Sequence, residues 1–263
     1  MKKYLFIIKT TLNDSIQYVS SLIFRFIGFA ITMFVLVSLW SYIYGDSTSI
    51  IKGYSFSQMI WYLLLAEVIT YGSGSKVATD EVRDNIKSGN IAYQINKPYN
   101  YIGYIVCKYM ADTIIRFIAF LFIAIIMGLV FAGSIPNLNY ISIICGIPIF
   151  LLAVLITGMI RILIGLSSFW VEDSKPFQNV YNKMVLMFGV FFPIEMFPKV
   201  VGKVIRYSPI YSTSYGPAKL ILGFSGELFK NILLAQFITI AIIILLMIII
   251  YKKGVKKLNV NGG

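Results

Sequence analysis

The chain has 263 residues, of which 58% are hydrophobic, 16% aromatic and only 13% charged, and its mean hydropathy of +0.81 excludes an ordinary soluble domain. Apolar runs extend from end to end and leave no room for a second, soluble domain, so the chain reads as one all-α integral membrane domain over 1–263. The net charge of +12 is carried by residues between and beside the apolar runs, which argues against a nucleic-acid partner and for the anionic inner leaflet of a bilayer.

In chain order, the start "MKKYLFIIKTTLND" is basic, but its apolar stretch stops at Lys9 and no small-residue cleavage site follows, so it does not read as a signal peptide. Leu5, Ile8, Leu12, Ile16, Val19 and Ile23 repeat at spacings of three and four while Lys9, Asp14 and Gln17 fall on other faces. That stripe predicts either a helix lying in the membrane interface or an early start of the first span.

Crossing about 30 Å of hydrocarbon takes about 20 helical residues, and this criterion predicts six spans. They cover about 22–44, with a Trp and Tyr belt at its end, then 55–72, 114–133, 141–168, 177–197 and 232–251; the fifth has polar first turns. Lys2, Lys3 and Lys9 at one end and Lys252, Lys253, Lys256 and Lys257 at the other place both termini in the cytoplasm, which requires an even number of crossings. The loops 73–101 and 169–180 then lie inside. Lys199, Lys203, Arg206, Lys219 and Lys230 in 198–231, within the outer or re-entrant region 190–231, run against that rule; either the rule is diluted late in the chain and this is a plain outer loop, or 190–225 folds back into the membrane, which Pro193, Pro198, Pro209 and Pro217 favour.

The loop "YGSGSKVATDEVRDNIKSG", 71–89, places Gly72, Gly74 and Lys76 too close together for a phosphate-binding P-loop, has Val77 where a Ser or Thr is needed, and follows a membrane span. It predicts instead a short helix capped by Thr79, with Asp80 and Glu81 at its positive end, Lys87 in its last turn and Gly89 as its stop. Val82 and Ile86 share one face of it, either as a docking helix for a soluble partner or as part of a solvated connection.

Three charges fall within predicted spans at similar depth: Glu67, Arg116 and Arg161. Isolated charges there cost several kcal/mol, so Glu67 is expected to pair with one of the arginines, as a structural tie or as part of a cytoplasmic vestibule. Glu195, between Pro193 and Pro198 at the outer end of the fifth span, reads as an outer gate or as a residue facing external water. No histidine is present, and Cys107 and Cys145 sit in or beside apolar segments, so no metal cluster, disulfide framework or nucleophile–base pair is indicated, and the chain does not read as an enzyme.

Four stretches carry a resemblance: "IKSGNIAYQINKP" (86–98), "SSFWVED" (167–173), "FGVFFPIEMFPKVVGKVIRYSPI" (188–210) and "GPAKLILG" (216–223). In order and spacing they resemble the membrane subunit of ATP-binding-cassette (ABC) transporters of the type-2 exporter class, in the compact form of about 260 residues whose ATPase is a separate chain. Ile95 departs from the family's more frequent Leu before x-Pro. The resemblance implies an amino-terminal interfacial helix, short re-entrant helices after the fifth span, and a homodimer or paired permease. It also implies that ATP and Mg are bound by the partner ATPase. Carried over to this chain, Asp80, Glu81, Arg83, Asp84 and Lys87 become ATPase contacts, Val82 and Ile86 fill its groove, and Gly89 and Pro98 shape the return to the third span. The implied cargo is a lipid, glycan, peptide or antibiotic. Against a secondary transporter stand the missing inverted repeat and the missing membrane-centre Asp, Glu or His relay; a non-transporting anchor or immunity protein is a further alternative.

Overall fold

The computed structural model describes residues 2–17, 19–46, 49–74 and 77–261; the side chains of Ile16, Val19 and Lys76 lie outside what is described. The described residues form helices joined by short connections and one two-stranded hairpin. Helix α1 (Lys2–Gln17), ahead of α2 (Val19–Tyr44) in the chain, lies along the start of α6 (Tyr101–Ala132). Tyr4 Oη accepts from the Asn100 amide at 3.3 Å and Lys3 Nζ donates to the Pro98 carbonyl at 3.2 Å. Leu5 and Phe6 remain exposed, as an apolar face turned to lipid requires.

After α2 the chain turns through β1 (Ile50–Ile51) and β2 (Tyr54–Ser55), paired Ile50 to Ser55 and Ile51 to Tyr54. Lys52 and Gly53 connect them with φ of 51° and 85°, the two positive values that a tight hairpin turn demands. Helix α3 (Phe56–Gly72) then starts on a reciprocal cap in which Ser55 and Gln58 satisfy each other's backbone amides. It is buried almost throughout, which explains an apolar run without an amphipathic period.

Small residues let the long helices meet. A Cβ on Gly128 of α6 would fall 2.3 Å from the Trp61 ring of α3, and one on Gly158 of α7 (Tyr140–Leu166) would fall 2.1 Å from Tyr109. Close approach of this kind is how helices pack where burial from water offers no driving force.

Four helical stretches, Leu22–Tyr44, Tyr101–Ala132, Tyr140–Phe169 and Gly226–Lys257, are long and apolar enough to cross a membrane among the described residues. The remaining two predicted spans lie outside that set. The second coincides with α3, one helix of 17 residues over its expected bounds, at the short end of what a crossing takes. The fifth is broken: α8 (Lys175–Val185) passes into a π-helical stretch, Leu186–Phe191, and the chain is extended at Phe192 instead of continuing to 197. Pro193 has no amide to donate and forces the break. The helices that contain the third and sixth predicted spans start earlier than those spans, at Tyr101 and Gly226.

Between the broken segment and α11 (Gly226–Asn261) lie α9 (Lys199–Arg206) and α10 (Gly216–Leu222). Helix α9 keeps Val200 and Val204 exposed, whereas α10 is buried against α3 and α7 apart from its lysine.

Candidate functional site

The stretch 71–89 resolves into packing and fastening residues. Gly72 lets α3 meet α6, since a Cβ there would stand 3.0 Å from the Phe117 backbone. The Gly74 carbonyl accepts from Arg25 at 2.6 Å and Arg116 at 3.3 Å. The helix begins earlier than Thr79, as a π-helical turn over Val77–Glu81 that runs into α4 (Val82–Lys87). Thr79 therefore does not cap it; its hydroxyl donates to Gln178 Oε1 of α8 at 2.9 Å. Gly89 ends α4 with φ of +74° and opens α5 (Asn90–Ile95).

Val82 and Ile86 do share one face, but that face is turned inward. Val82 is fully buried and Ile86 is 7% exposed, packed with Tyr101, Ile105, Tyr109 and Val154. Gly165 of α7 makes the space, with its missing Cβ 2.9 Å from Val82 Cβ. The expectation that this pair fills a partner's groove is thereby corrected: the apolar face of α4 is spent on the chain's own α6 and α7. Exposed instead are Asp84, Lys87, Ser88, Gly89, Asn90 and Tyr93, with Tyr93 65% accessible and Lys97 Nζ 4.9 Å over its ring. Sequence reasoning passed over Tyr93, although an aromatic between two turns of a polar segment was its signal.

The remaining charges of the loop are held within the chain. Arg83 bonds Asp80 at 2.8 Å and Asp84 at 2.9 Å, and stands 4.0 Å from Asp173 on the connection between α7 and α8. Glu81 accepts from Lys108 at 2.7 Å. The Lys175 amide, donating to Asp173 at 3.0 Å, holds that carboxyl below its usual range, helped by the nearby Lys87 and Arg83.

Within the helical bundle the expected pairing of Glu67 does not occur. Glu67 is fully buried and both carboxylate oxygens lack a hydrogen-bond partner. Arg116 pairs with Asp112 one turn earlier on α6, a spacing legible in the sequence. Arg161 donates to Asn182 Oδ1 of α8 at 3.3 Å, and its Nε has no partner. At the other end of the bundle, Pro193 and Pro198 bracket a 3₁₀ turn, Ile194–Met196, that aims Glu195 back into the chain. Glu195 accepts from Tyr215 at 2.6 Å and Tyr54 at 3.1 Å, and Lys219 of α10 lies 3.3 Å away. Glu195 thus ties three segments together and does not simply face external water.

Long apolar helices, a buried short helix and buried charges define a multi-pass membrane protein. Residues 26–262 match the profile of the ABC-2 family transporter proteins, and the chain belongs to that family. It is a transporter membrane subunit, a permease of the kind that works with an ATPase partner. No individual curated protein matches the chain.

Proposed function

We propose that the chain is the permease of an ATP-driven exporter. Two copies cross the membrane six times each with both termini in the cytoplasm, and a separate ATPase chain binds ATP and Mg and grips the loop between α3 and α6. The cargo is hydrophobic or amphiphilic. The broken α8 segment and the buried α10 form the fifth crossing and the re-entrant outer region.

The observation that carries this reading is the tip formed by Asp84, Lys87, Ser88, Gly89, Asn90 and Tyr93: exposed, with one charge of each sign, and standing on a base fastened to other segments by Arg83, Thr79 and the buried Val82 and Ile86. A surface of this build passes a push onward instead of absorbing it. Nucleotide closes the two ATPase chains, the tip moves with them, and α8 and α7 receive the displacement through Gln178 and Asp173.

Co-purification of the chain with its ATPase and nucleotide hydrolysis in lipid test the assignment. Tyr93→Asp and Lys87→Glu are expected to leave thermal unfolding unchanged and to weaken capture and cargo-stimulated hydrolysis at least tenfold. Normal capture and hydrolysis in both variants overturns the docking assignment.

A further inference from the structure

Helix α9 rests on the chain by a narrow seat. Of its eight residues only Gly202 and Ile205 are buried, and Gly202 meets Ile194 of the preceding turn. Pro198 and Pro209 flank it, so it is a separate short rod and not a continuation of its neighbours. The rest of its surface divides in two. At about 100° per residue, Lys199, Lys203 and Arg206 fall within about 60° of one another, and Tyr207, Val200 and Val204 share an adjoining arc of about 60°. The three cations are exposed, and so is the apolar strip: Val200 at 76%, Val204 at 66% and Tyr207 at 87%. A cationic strip beside an apolar one is the build of a helix that lies along a membrane surface.

The helix stands at the level where such a surface belongs. Ser57 Oγ donates to the Ala132 carbonyl at 2.8 Å and Trp61 Nε1 to the Gly133 carbonyl at 3.1 Å, so the start of α3 and the end of α6 share one end of the bundle. At that end Tyr42 of α2 and Tyr140 of α7 are both 85% exposed. Trp40 reaches the approach to α9 through Phe192, 5.9 Å between centroids, and Phe192 touches Phe197 at 6.0 Å. Tyr and Trp gathered at one level mark a lipid–water boundary. The charges, for their part, call for a partner from outside the chain. Among the described residues none of the three cations forms an ion pair. Glu195, the carboxylate nearest in sequence, is taken by Tyr215, Tyr54 and Lys219. The first turn of α9 holds no acid, although Lys199 sits there at the positive end of the helix dipole.

We propose that α9 is an interfacial anchor that binds anionic phospholipid headgroups of the leaflet at this end of the bundle, with Lys199, Lys203 and Arg206 on the phosphates and Val200, Val204 and Tyr207 among the upper acyl chains. Charge complementarity names the occupant. Three unpaired cations on one strip suit a surface with many anions, the adjoining strip suits hydrocarbon, and an anionic bilayer offers both side by side. The anchor lies at the opposite end of the bundle from the loop 73–101 and needs no ATPase, so it stands apart from the exporter reading.

The test uses the full-length chain with Cys107→Ser, Cys145→Ser and a bimane-labelled Val204→Cys, in phosphatidylcholine nanodiscs. A small fraction of the lipid is replaced by phosphatidylcholine or by phosphatidylglycerol with identically brominated chains, and quenching of the probe is read. Both lipids are expected to quench it, the phosphatidylglycerol about fivefold more per molecule or better, as attraction to even one such cation gives. Lys199→Gln, Lys203→Gln and Arg206→Gln together are expected to abolish that preference and to leave quenching by brominated phosphatidylcholine unchanged. Added salt is expected to weaken the preference with all three cations in place, which needs no further variant. Gln at Lys252, Lys253, Lys256 and Lys257, near the carboxyl end of α11, is expected to leave it as it was. A probe reached by aqueous iodide but by neither lipid makes α9 a solvated surface, and one shielded from iodide and lipid alike makes its apolar strip a protein–protein contact; either result overturns the anchor. Equal quenching by the two lipids, a preference indifferent to salt, or one that survives the triple substitution overturns the recognition of anions. Since no arm uses nucleotide or ATPase, failed transport with the lipid preference intact removes only the exporter reading.

Discussion

Arg83 and Asp173 stand 4.0 Å apart across two connections that are remote in sequence. The loop that carries the exposed tip is therefore joined to the connection between α7 and α8 by electrostatics as well as by packing. The Asp173 carboxyl is held below its ordinary range, first by the Lys175 amide. A depressed folded-state value means that its stabilisation is complete above the unfolded value of about 3.9 and is lost as pH falls through the folded one. The difference in thermal midpoint between wild type and Asp173→Asn is expected to be small, flat above about pH 5, and to shrink as pH falls below the ordinary carboxylate range. A difference that grows on acidification contradicts this link.

Glu67 makes an opposite case. An unpaired buried carboxyl contributes nothing that an apolar group of similar size would not improve on, so Glu67→Leu is expected to raise stability by about 1–3 kcal/mol. Charge exchange between Glu67 and Arg116 or Arg161 is expected to rescue nothing, since neither arginine pairs with it. Thermal unfolding in detergent measures both.

Gly158 has Tyr109 2.1 Å from where a Cβ would stand. Gly158→Ala is expected to cost about 1–3 kcal/mol by forcing α7 from α6. Gly223→Ala, where nothing lies within 4 Å, serves as the matched control and is expected to stay within about 0.5 kcal/mol.

Gly89 sits at φ +74° with open space around it, so the backbone and not crowding restricts it. Gly89→Ala is expected to cost about 1–2 kcal/mol and Gly89→Asn less, because Asn tolerates the left-handed region. If the tip docks as proposed, the same order appears in ATPase-coupled hydrolysis.

At the opposite end, Glu195→Gln and Lys219→Met each break a partly buried pair at 3.3 Å. Their losses are expected to be less than additive in the double variant, with a coupling of about 0.5–3 kcal/mol.

What was legible in the sequence follows from the period of its apolar residues. Runs such as 22–44 and 141–168 are long enough that only a helix satisfies their backbone in lipid, and both appear close to their expected limits. The prolines at 193 and 198 marked irregular backbone correctly, but where α8 gives way depends on how the chain packs around Gly189, whose carbonyl takes the Tyr62 hydroxyl at 2.8 Å. The loop 73–101 shows the limit most clearly. Spacing put Val82 and Ile86 on one face; whether that face met a partner or its own helices was decided by Gly165, far along the chain. The Glu67 pairing failed for a related reason: depth along a helix was readable, the direction each side chain took around the axis was not.

Helix α11 runs for 36 residues, about 54 Å at 1.5 Å per residue, well beyond a bilayer core of about 30 Å. Towards its carboxyl end, Gly254 gives up its side-chain volume to Phe169, whose ring lies 2.2 Å from the missing Cβ; towards its amino end, Ile232 lies against Gly216. Two sockets far apart on one rod hold it as a mast is held, stepped against the connection that follows α7 and stayed beside the buried α10.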